Sequence, residues 1–379
     1  MIERRPLHQQ VAAALRQRLA TGEFPPGAAL PSELTLQQEY GVSRATVRHA
    51  LETLQREGLL QRRAGRGTYV APRGPTAVAP AGYRPCIGLV AARLSSLFLM
   101  DMLRGAEAEA EARGYDLLVA NSNHDPQQER ARIERLRRRG VAGVLVEPAP
   151  GTALESYYHD LTGMGYPLLM LDRRYPELGV DFVGVDNTKA TQELVAHLIA
   201  RGHRRIAYFL GLEWPTSTAQ ERLHGYEQAL RLAGLPWDPA LVVHPIGAPG
   251  DPFTPAVVAA VQRLLALPTN QRPTALCCLN DATALEVLRV LRSEGLRVPE
   301  DIALTGFDDL PYAAHLEVPL TTVAQPREQL GSTGARLLID RIEGQRGAQP
   351  VAVRLPTRLL VRRSSDWARA GEEPAGETA

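Results

Sequence analysis

The stretch from Pro31 to Val70, PSELTLQQEYGVSRATVRHALETLQREGLLQRRAGRGTYV, leaves few choices of fold. Ser32, followed by acidic Glu33, is placed to cap a helix running to about Tyr40. Its hydroxyl can accept from free N–H groups of the first turn, and the carboxylate faces the positive helix end. Gly41 supplies the left-handed residue that closes such a helix, and Ser43 caps the next one. From there Val47, Ala50, Leu51 and Leu54 recur at helical spacing and form one apolar stripe. Arg44, Ala45, Arg48 and His49 fall on the opposite face, with Thr46 on its flank. Gly58 ends this helix, Leu59 and Leu60 begin a strand, and Gly65-Arg66-Gly67 turns the chain into a second strand ending at Val70.

Helix, tight turn, helix and paired strands are the grammar of a winged helix-turn-helix. Arginines near the start of the second helix can reach guanine O6 and N7 or a phosphate, and a small Ala or Thr leaves room for a thymine methyl. A turn of bare backbone can approach the sugar-phosphate or the minor groove. Gly-x-Gly also occurs in nucleotide loops, but there it enters a helix, whereas Thr-Tyr-Val continues here as a strand. Charge agrees: through Val70, ten basic side chains face six acidic ones, a net +4, so with +1 overall the remainder carries −3. Such a distribution confines the attractive field for DNA to one module.

Over about Leu7 to Val70 the chain resembles the GntR family, in LPSE (30–33), GVSRATVR (41–48), EGLL (57–60) and GRGTYV (65–70). The resemblance implies DNA contacts at Arg44, Thr46, Arg48 and Gly67, and with the neighbouring Ser43 and Arg66 these make the candidate DNA-contacting set. One departure is Leu34, where the family often carries arginine after the Ser-Glu pair.

At 379 residues the chain is too long for one winged helix and suits two or three domains. Leu7, Val11, Leu15 and Leu19 give a first helix that buries one edge against the reading unit. Residues 71–85, APRGPTAVAPAGYRP, hold four prolines and no periodicity, so they read as a linker of up to about 50 Å at roughly 3.3 Å per residue. No apolar run approaches about 18 residues and MIERRPLHQQ has no apolar signal core, so the expectation is a cytoplasmic protein without a membrane partner. Cys86, Cys277 and Cys278 lack metal-ligand spacing and read as reduced, buried thiols; no metal or cofactor is expected.

From Cys86 the pattern changes to repeated strand–helix units. Apolar runs at 86–92, 115–121, 143–147, 167–172, 182–186, 205–211, 240–244, 275–280 and 302–308 alternate with helical segments, one opened by Asp125-Pro126. Such alternation predicts an α/β fold of parallel sheets covered by helices on both faces, in two doubly wound lobes. The lobes are expected at about 86–165 plus 326–345, and at 175–320 plus a last strand from Val351 to Val361, joined by three crossings. Ser95, Asn121, Glu147, Asp172, Asn280 and Asp308 follow separate strands, at the edge where open α/β sheets bind ligands. Asn, Asp, Ser and Arg suit a hydroxyl-rich ligand, because amides and carboxylates pair with adjacent OH groups. Capping competes with that role at each position, and Asp281 reads as a cap.

This region, about 85–364, resembles the LacI-type effector domain, related in fold to periplasmic sugar-binding proteins. The carriers are LRGAEAEAEARGYDLLVANS (103–122), GVDNTKATQELVAHLIARGHRRIAYFLG (184–211), ERLHGYEQAL (221–230), NDATALEVLRVLRSEGLRVPEDIALTGFDD (280–309) and PLTTVAQP (319–326). The resemblance implies effector contacts at Phe98, Asp172, Arg222, Asn280 and Asp308, with Ser96 and Asn121 as weaker candidates. The family's own DNA-binding head and hinge helix are absent, and a GntR-like module on a LacI-type domain resembles the arabinose-responsive repressors. The expected division is 1–70 DNA-binding, 71–85 linker, 86–364 effector-binding and dimerisation, and 365–379 a disordered tail. The expected function is a homodimeric repressor of operator DNA controlled by a small effector, a sugar. Alternatives are a co-repressor-dependent regulator or an activator responding to a nucleoside or sugar phosphate. A sugar enzyme lacks support, since HExxH, P-loop and nucleophile-elbow patterns are missing.

Overall fold

The computed structural model describes residues 6–20, 23–25, 27–56, 58–63, 67–71, 84–211, 215–244, 253–347 and 349–366. Arg66, and the linker and tail beyond the ends just given, lie outside the described residues. The first module comprises α1 (Leu7–Ala20), α2 (Glu33–Tyr40), α3 (Arg44–Arg56), β1 (Leu60–Arg63) and β2 (Gly67–Val70). Ser32 caps α2 by accepting from the Thr35 N–H, and Gly41 closes it at φ 62°, donating to the Gln37 carbonyl. Val47, Ala50, Leu51 and Leu54 are buried against Val11, Ala12 and Leu15 of α1 and Leu36 of α2. Leu7 departs from the expected stripe: it sits in the first turn of α1 and is 59% exposed. β1 and β2 pair antiparallel from Leu60–Val70 to Arg63–Gly67, and Leu30 N–H bonds to the Thr68 carbonyl, bracing the wing.

The rest of the chain forms two parallel sheets. Strands β3 (Cys86–Ala91), β4 (Asp116–Asn121), β5 (Val144–Val146), β6 (Leu168–Leu171), β7 (Asp181–Val185) and the late β13 (Ala352–Leu355) make the first, in the order β13-β7-β6-β5-β3-β4. Helices α4 (Leu97–Ala112), α5 (Pro126–Arg138) and α6 (Glu155–Gly163) connect the earlier strands, and α11 (Arg327–Ile342) packs beside α4. The second sheet has the order β11-β10-β8-β9, from β8 (Ile206–Phe209), β9 (Val242–Val243), β10 (Ala275–Cys278) and β11 (Ala303–Thr305). Its helices are α7 (Asn187–Ala200), α8 (Ser217–Leu232), α9 (Phe253–Leu265) and α10 (Asp281–Ser293). Each sheet buries apolar side chains on both faces, which is why its strands read as continuous runs instead of alternating ones.

Two lobe assignments made from sequence need correction. Strand β7 belongs to the first sheet, between β6 and β13, so the first crossing falls at Asp186 and not near residue 175. The expected single strand from Val351 to Val361 is two: β13 edges the first sheet, while β14 (Arg358–Leu360) pairs with β12 (Thr322–Ala324) beside the second. Pro356 lies between them, and its missing N–H interrupts a ladder. The chain thus crosses between lobes at 186, at 325–326 and at 356–357. Ser365, assigned from sequence to the tail, is buried and bonds Thr321 and His197, and Asp366 pairs with Arg201.

Helices α4 and α11 meet through glycines. A Cβ added at Gly331 would lie 1.8 Å from the Met102 carbonyl oxygen, and one at Gly105 would lie 1.9 Å from that of Glu328. On the other lobe, Asn280 and not Asp281 caps α10, accepting from the Thr283 N–H. Asp281 is instead buried and accepts from the Thr322 hydroxyl at 2.6 Å and the Leu310 N–H at 2.7 Å. Burial pushes its carboxyl up to about 6, against the pull of those two hydrogen bonds.

Two predictions follow from this packing. Gly331→Ala should lower the stability of the effector domain by about 3 kcal/mol, because backbone and not a flexible side chain must give way; urea unfolding measures it. Asp281 keeps its proton in the fold between about pH 4 and 6, where the unfolded chain has lost it. Its stabilising contribution is complete below about pH 4 and is lost as pH rises through about 6. The stability difference between wild type and Asp281→Asn should therefore fall by up to about 3 kcal/mol between pH 4 and 7. Parallel pH curves for the two proteins would contradict this.

Candidate functional site

Two surfaces carry the residues singled out from sequence. On the first module the start of α3 is open. Ser43 accepts from the Thr46 N–H at 3.2 Å and shares a hydrogen bond with the Thr46 hydroxyl at 2.8 Å, which fixes the helix entry. The Arg44 side chain is 75% exposed with its Nε 3.0 Å from Glu33, and Arg48 is 60% exposed with Nε 3.6 Å from Glu52. Pairs this exposed hold little energy and release readily to a phosphate or a base edge. Gly67 opens β2 at φ 104° and is exposed. Leu34, the departure from the GntR pattern, is exposed as well and puts an apolar side chain where a cation is common.

The second surface lies at the carboxyl edges of the two sheets. Arg222, two-thirds of a turn beyond the end of the first turn of α8, is buried among polar atoms. Its Nε donates to Asn187 Oδ1 at 2.9 Å, its NH1 donates to the Leu279 carbonyl at 2.7 Å, and its NH2 lies 3.7 Å from Asp308 Oδ1. Its guanidinium also stands 3.7 Å over the Phe307 ring, an attraction between cation and ring quadrupole. Asp308 Oδ1 accepts a second hydrogen bond, 2.7 Å, from Gln325 Nε2. The fold therefore brings together Arg222 and Asp308, and sets Asn280 beside them, one residue after the carbonyl that Arg222 holds. The Asn280 side-chain oxygen is engaged in capping α10.

Asp172 occupies the matching edge of the first sheet, directly after β6. Arg173 Nε is 3.9 Å from Asp172 Oδ2, and its NH2 is 3.5 Å from Glu147, which follows β5 and accepts from the Ala92 N–H. All three side chains are buried. Phe98 and Ser96 open α4 on this lobe, and Phe98 packs half-buried against the core under β3. Asn121 ends β4 with its side chain occupied in a local turn with Asn123.

Backbone conformation marks the same edge. Among the described residues the non-glycine positions at positive φ are Asn123, His124, Asp172, Asp308 and Asp309, all following strands β4, β6 or β11. Each such residue costs about 1–3 kcal/mol and persists only where its surroundings hold it. Sequence reasoning missed Gln325, Arg173 and Asn187. Each adjoins a residue or junction already marked: Gln325 precedes Pro326 at a crossing, Arg173 follows Asp172, and Asn187 follows the crossing at Asp186. Among the described residues no cluster of three or more His, Cys, Asp or Glu is arranged to hold a metal ion, and no helix is long and apolar enough to cross a membrane.

Comparison with known proteins agrees with this architecture. The family model for bacterial regulatory proteins of the gntR family matches residues 7–70, and that for a periplasmic binding protein-like domain matches 195–365. The chain is 32% identical over 366 residues to an arabinose metabolism transcriptional repressor of Geobacillus stearothermophilus, covering 95% of this chain and 98% of that protein. It is 35% identical over 250 residues to the HTH-type transcriptional repressor CytR of Escherichia coli K12, covering 65% and 70%. A structure of the transcriptional regulator CelR in complex with cellobiose superposes with a TM-score of 0.65 at 29% identity, covering 88% of this chain and all of that one. These relatives are regulators and not enzymes. The chain belongs to the transcriptional regulators that join a GntR-type DNA-binding module to a LacI-type, periplasmic-binding-protein-like effector domain.

Proposed function

We propose that this regulator is a cytoplasmic homodimeric repressor whose hold on operator DNA is released when a hydroxyl-rich small molecule, a sugar, enters the cleft between its lobes. The observation that carries this reading is the Arg222–Asp308 pair. A guanidinium and a carboxylate 3.7 Å apart, one steadied by Asn187 and the other by Gln325, present donors and acceptors that match vicinal hydroxyls. Asn280 adds an amide, Asp172 with Arg173 works from the opposite lobe, and Phe98 covers the apolar face of the ring. The name of the arabinose repressor and the cellobiose in the CelR complex support a sugar over other small molecules.

On the DNA side, Arg44 and Arg48 read base edges or phosphates, Ser43 and Thr46 set the helix start, and Arg66 and Gly67 carry the wing. Two copies place two α3 helices on half-sites about one turn or a multiple apart. Support for pairing comes from Leu94, Leu97 and Met100 around the start of α4 and Val119 on edge strand β4, apolar side chains left 39–55% exposed. Closure of the lobes on the sugar changes the spacing of the two heads, with a coupling of about 1–3 kcal/mol.

Three measurements test the reading. A thermal-shift screen of L-arabinose, D-ribose, cellobiose, other pentoses and hexoses, their phosphates and nucleosides should raise the unfolding midpoint with a free sugar. Arg48→Ala should weaken binding to a duplex from the chain's own promoter by about 1–3 kcal/mol and leave sugar binding alone. Asp308→Ala should do the reverse, keeping DNA affinity and losing the sugar response. A normal response in Asp308→Ala removes the cleft assignment, and a sugar that tightens DNA binding turns the inducer into a co-repressor.

A further inference from the structure

Arg327 is the first residue of α11, just past the crossing at 325–326, and its guanidinium joins the two lobes. Nε and NH2 converge on a single oxygen, Asp101 Oδ2, at 2.9 and 2.8 Å, a charge-assisted contact. On the other side NH1 donates to the main-chain carbonyls of Asp308 and of Asp309, the latter at 2.9 Å. Asp101 lies on α4, three residues or one helical turn after Phe98. Asp308 and Asp309 lie on the turn after β11, at φ 117° and 53°. One side chain, 12% exposed, thus bonds a first-lobe helix and a strained second-lobe turn together.

We propose that Arg327 is a positioning residue of the effector cleft, clamping the α4 turn that carries Phe98 to the turn that carries Asp308. The assignment rests on the reading above that Phe98 and Asp308 line the cleft. A turn with two successive residues at positive φ needs external bonds to stay as it is. Its other supports come from the second lobe or the crossing: Arg362 holds the Asp309 carboxylate at 2.8 Å, Asp281 holds the Leu310 N–H, and Gln325 holds the Asp308 carboxylate. Arg327 carries the hydrogen bonding of this turn on to Asp101 of α4. Arg104 strengthens the first-lobe end, its NH2 lying 3.2 Å from Asp101 and 2.8 Å from Glu328. Loosening Asp101 should therefore be felt at Asp308, across the lobe boundary and more than two hundred residues away in sequence.

A plain strut between α4 and α11 makes a different prediction, and amide hydrogen exchange of the full chain without sugar or DNA separates the two. The reporters are the Asp308, Asp309 and Leu310 amides, which bond to the Val323 carbonyl, the Thr322 hydroxyl and the Asp281 carboxylate. Asp101→Asn keeps the shape but weakens the pair, and should speed exchange at 308–310 about tenfold, as expected for the loss of one charge-assisted hydrogen bond. Arg327→Lys, which keeps the charge and loses the fork, should speed exchange both there and over 98–102. Faster exchange confined to α4 in Asp101→Asn, or unchanged exchange at 308–310 in both variants, overturns the proposal. Because neither sugar nor DNA is present, that failure is distinct from failure of the sugar screen.

Discussion

A guanidinium and a carboxylate buried side by side are costly to keep unless both are fully occupied, and this fold keeps one such pair at the carboxyl edge of its second sheet. Arg222 and Asp308 each lose most of their water, and either one alone would leave an uncompensated buried charge costing about 3–5 kcal/mol. The surrounding chain is arranged to prevent that. Asn187 comes from the first crossing, Gln325 from the second, and the Leu279 carbonyl from the end of β10. Residues from both crossings thus converge on one charge pair, so movement between the lobes acts on the atoms that the proposed ligand would engage.

The same constraint connects the cleft to DNA reading. The first module makes its own core from three helices and a wing, with the reading face of α3 left to solvent. Its buried core residues all come from the module itself, so on the proposed reading a bound sugar acts on DNA by changing where two such modules stand. Two packed lobes with discrete arrangements can do this, because close-packed helices such as α4 and α11, in contact through Gly105 and Gly331, move as a unit and do not deform gradually.

Much of this was legible in the residues alone. Gly41, Ser43 and the Val47–Leu54 stripe specify the reading helix through purely local physics, and nine apolar runs locate nine strands because, half-exposed edge strand β4 apart, a parallel strand covered on both faces is apolar on both. What failed was long-range. Which sheet β7 joins depends on pairing with β6 and β13, and its sequence, DFVGV, would suit either sheet. The break at Pro356 moves half of an apparent strand to the other lobe. Gln325, Asn187 and Arg327 gain their roles from the crossings, where polar residues look like ordinary loop or helix starts until the fold brings them to Asp308 and Arg222. Asp281 illustrates the converse: adjacent to a cap, it serves a buried network with Thr322 and Leu310.

The most direct test of the central claim is a crystal structure of the chain with the sugar that raises its unfolding midpoint. The account predicts adjacent sugar hydroxyls on Arg222 and Asp308 of the second lobe, with the ring facing Phe98 and Asp172 of the first. A sugar bound elsewhere, with the Arg222–Asp308 pair untouched, would contradict it.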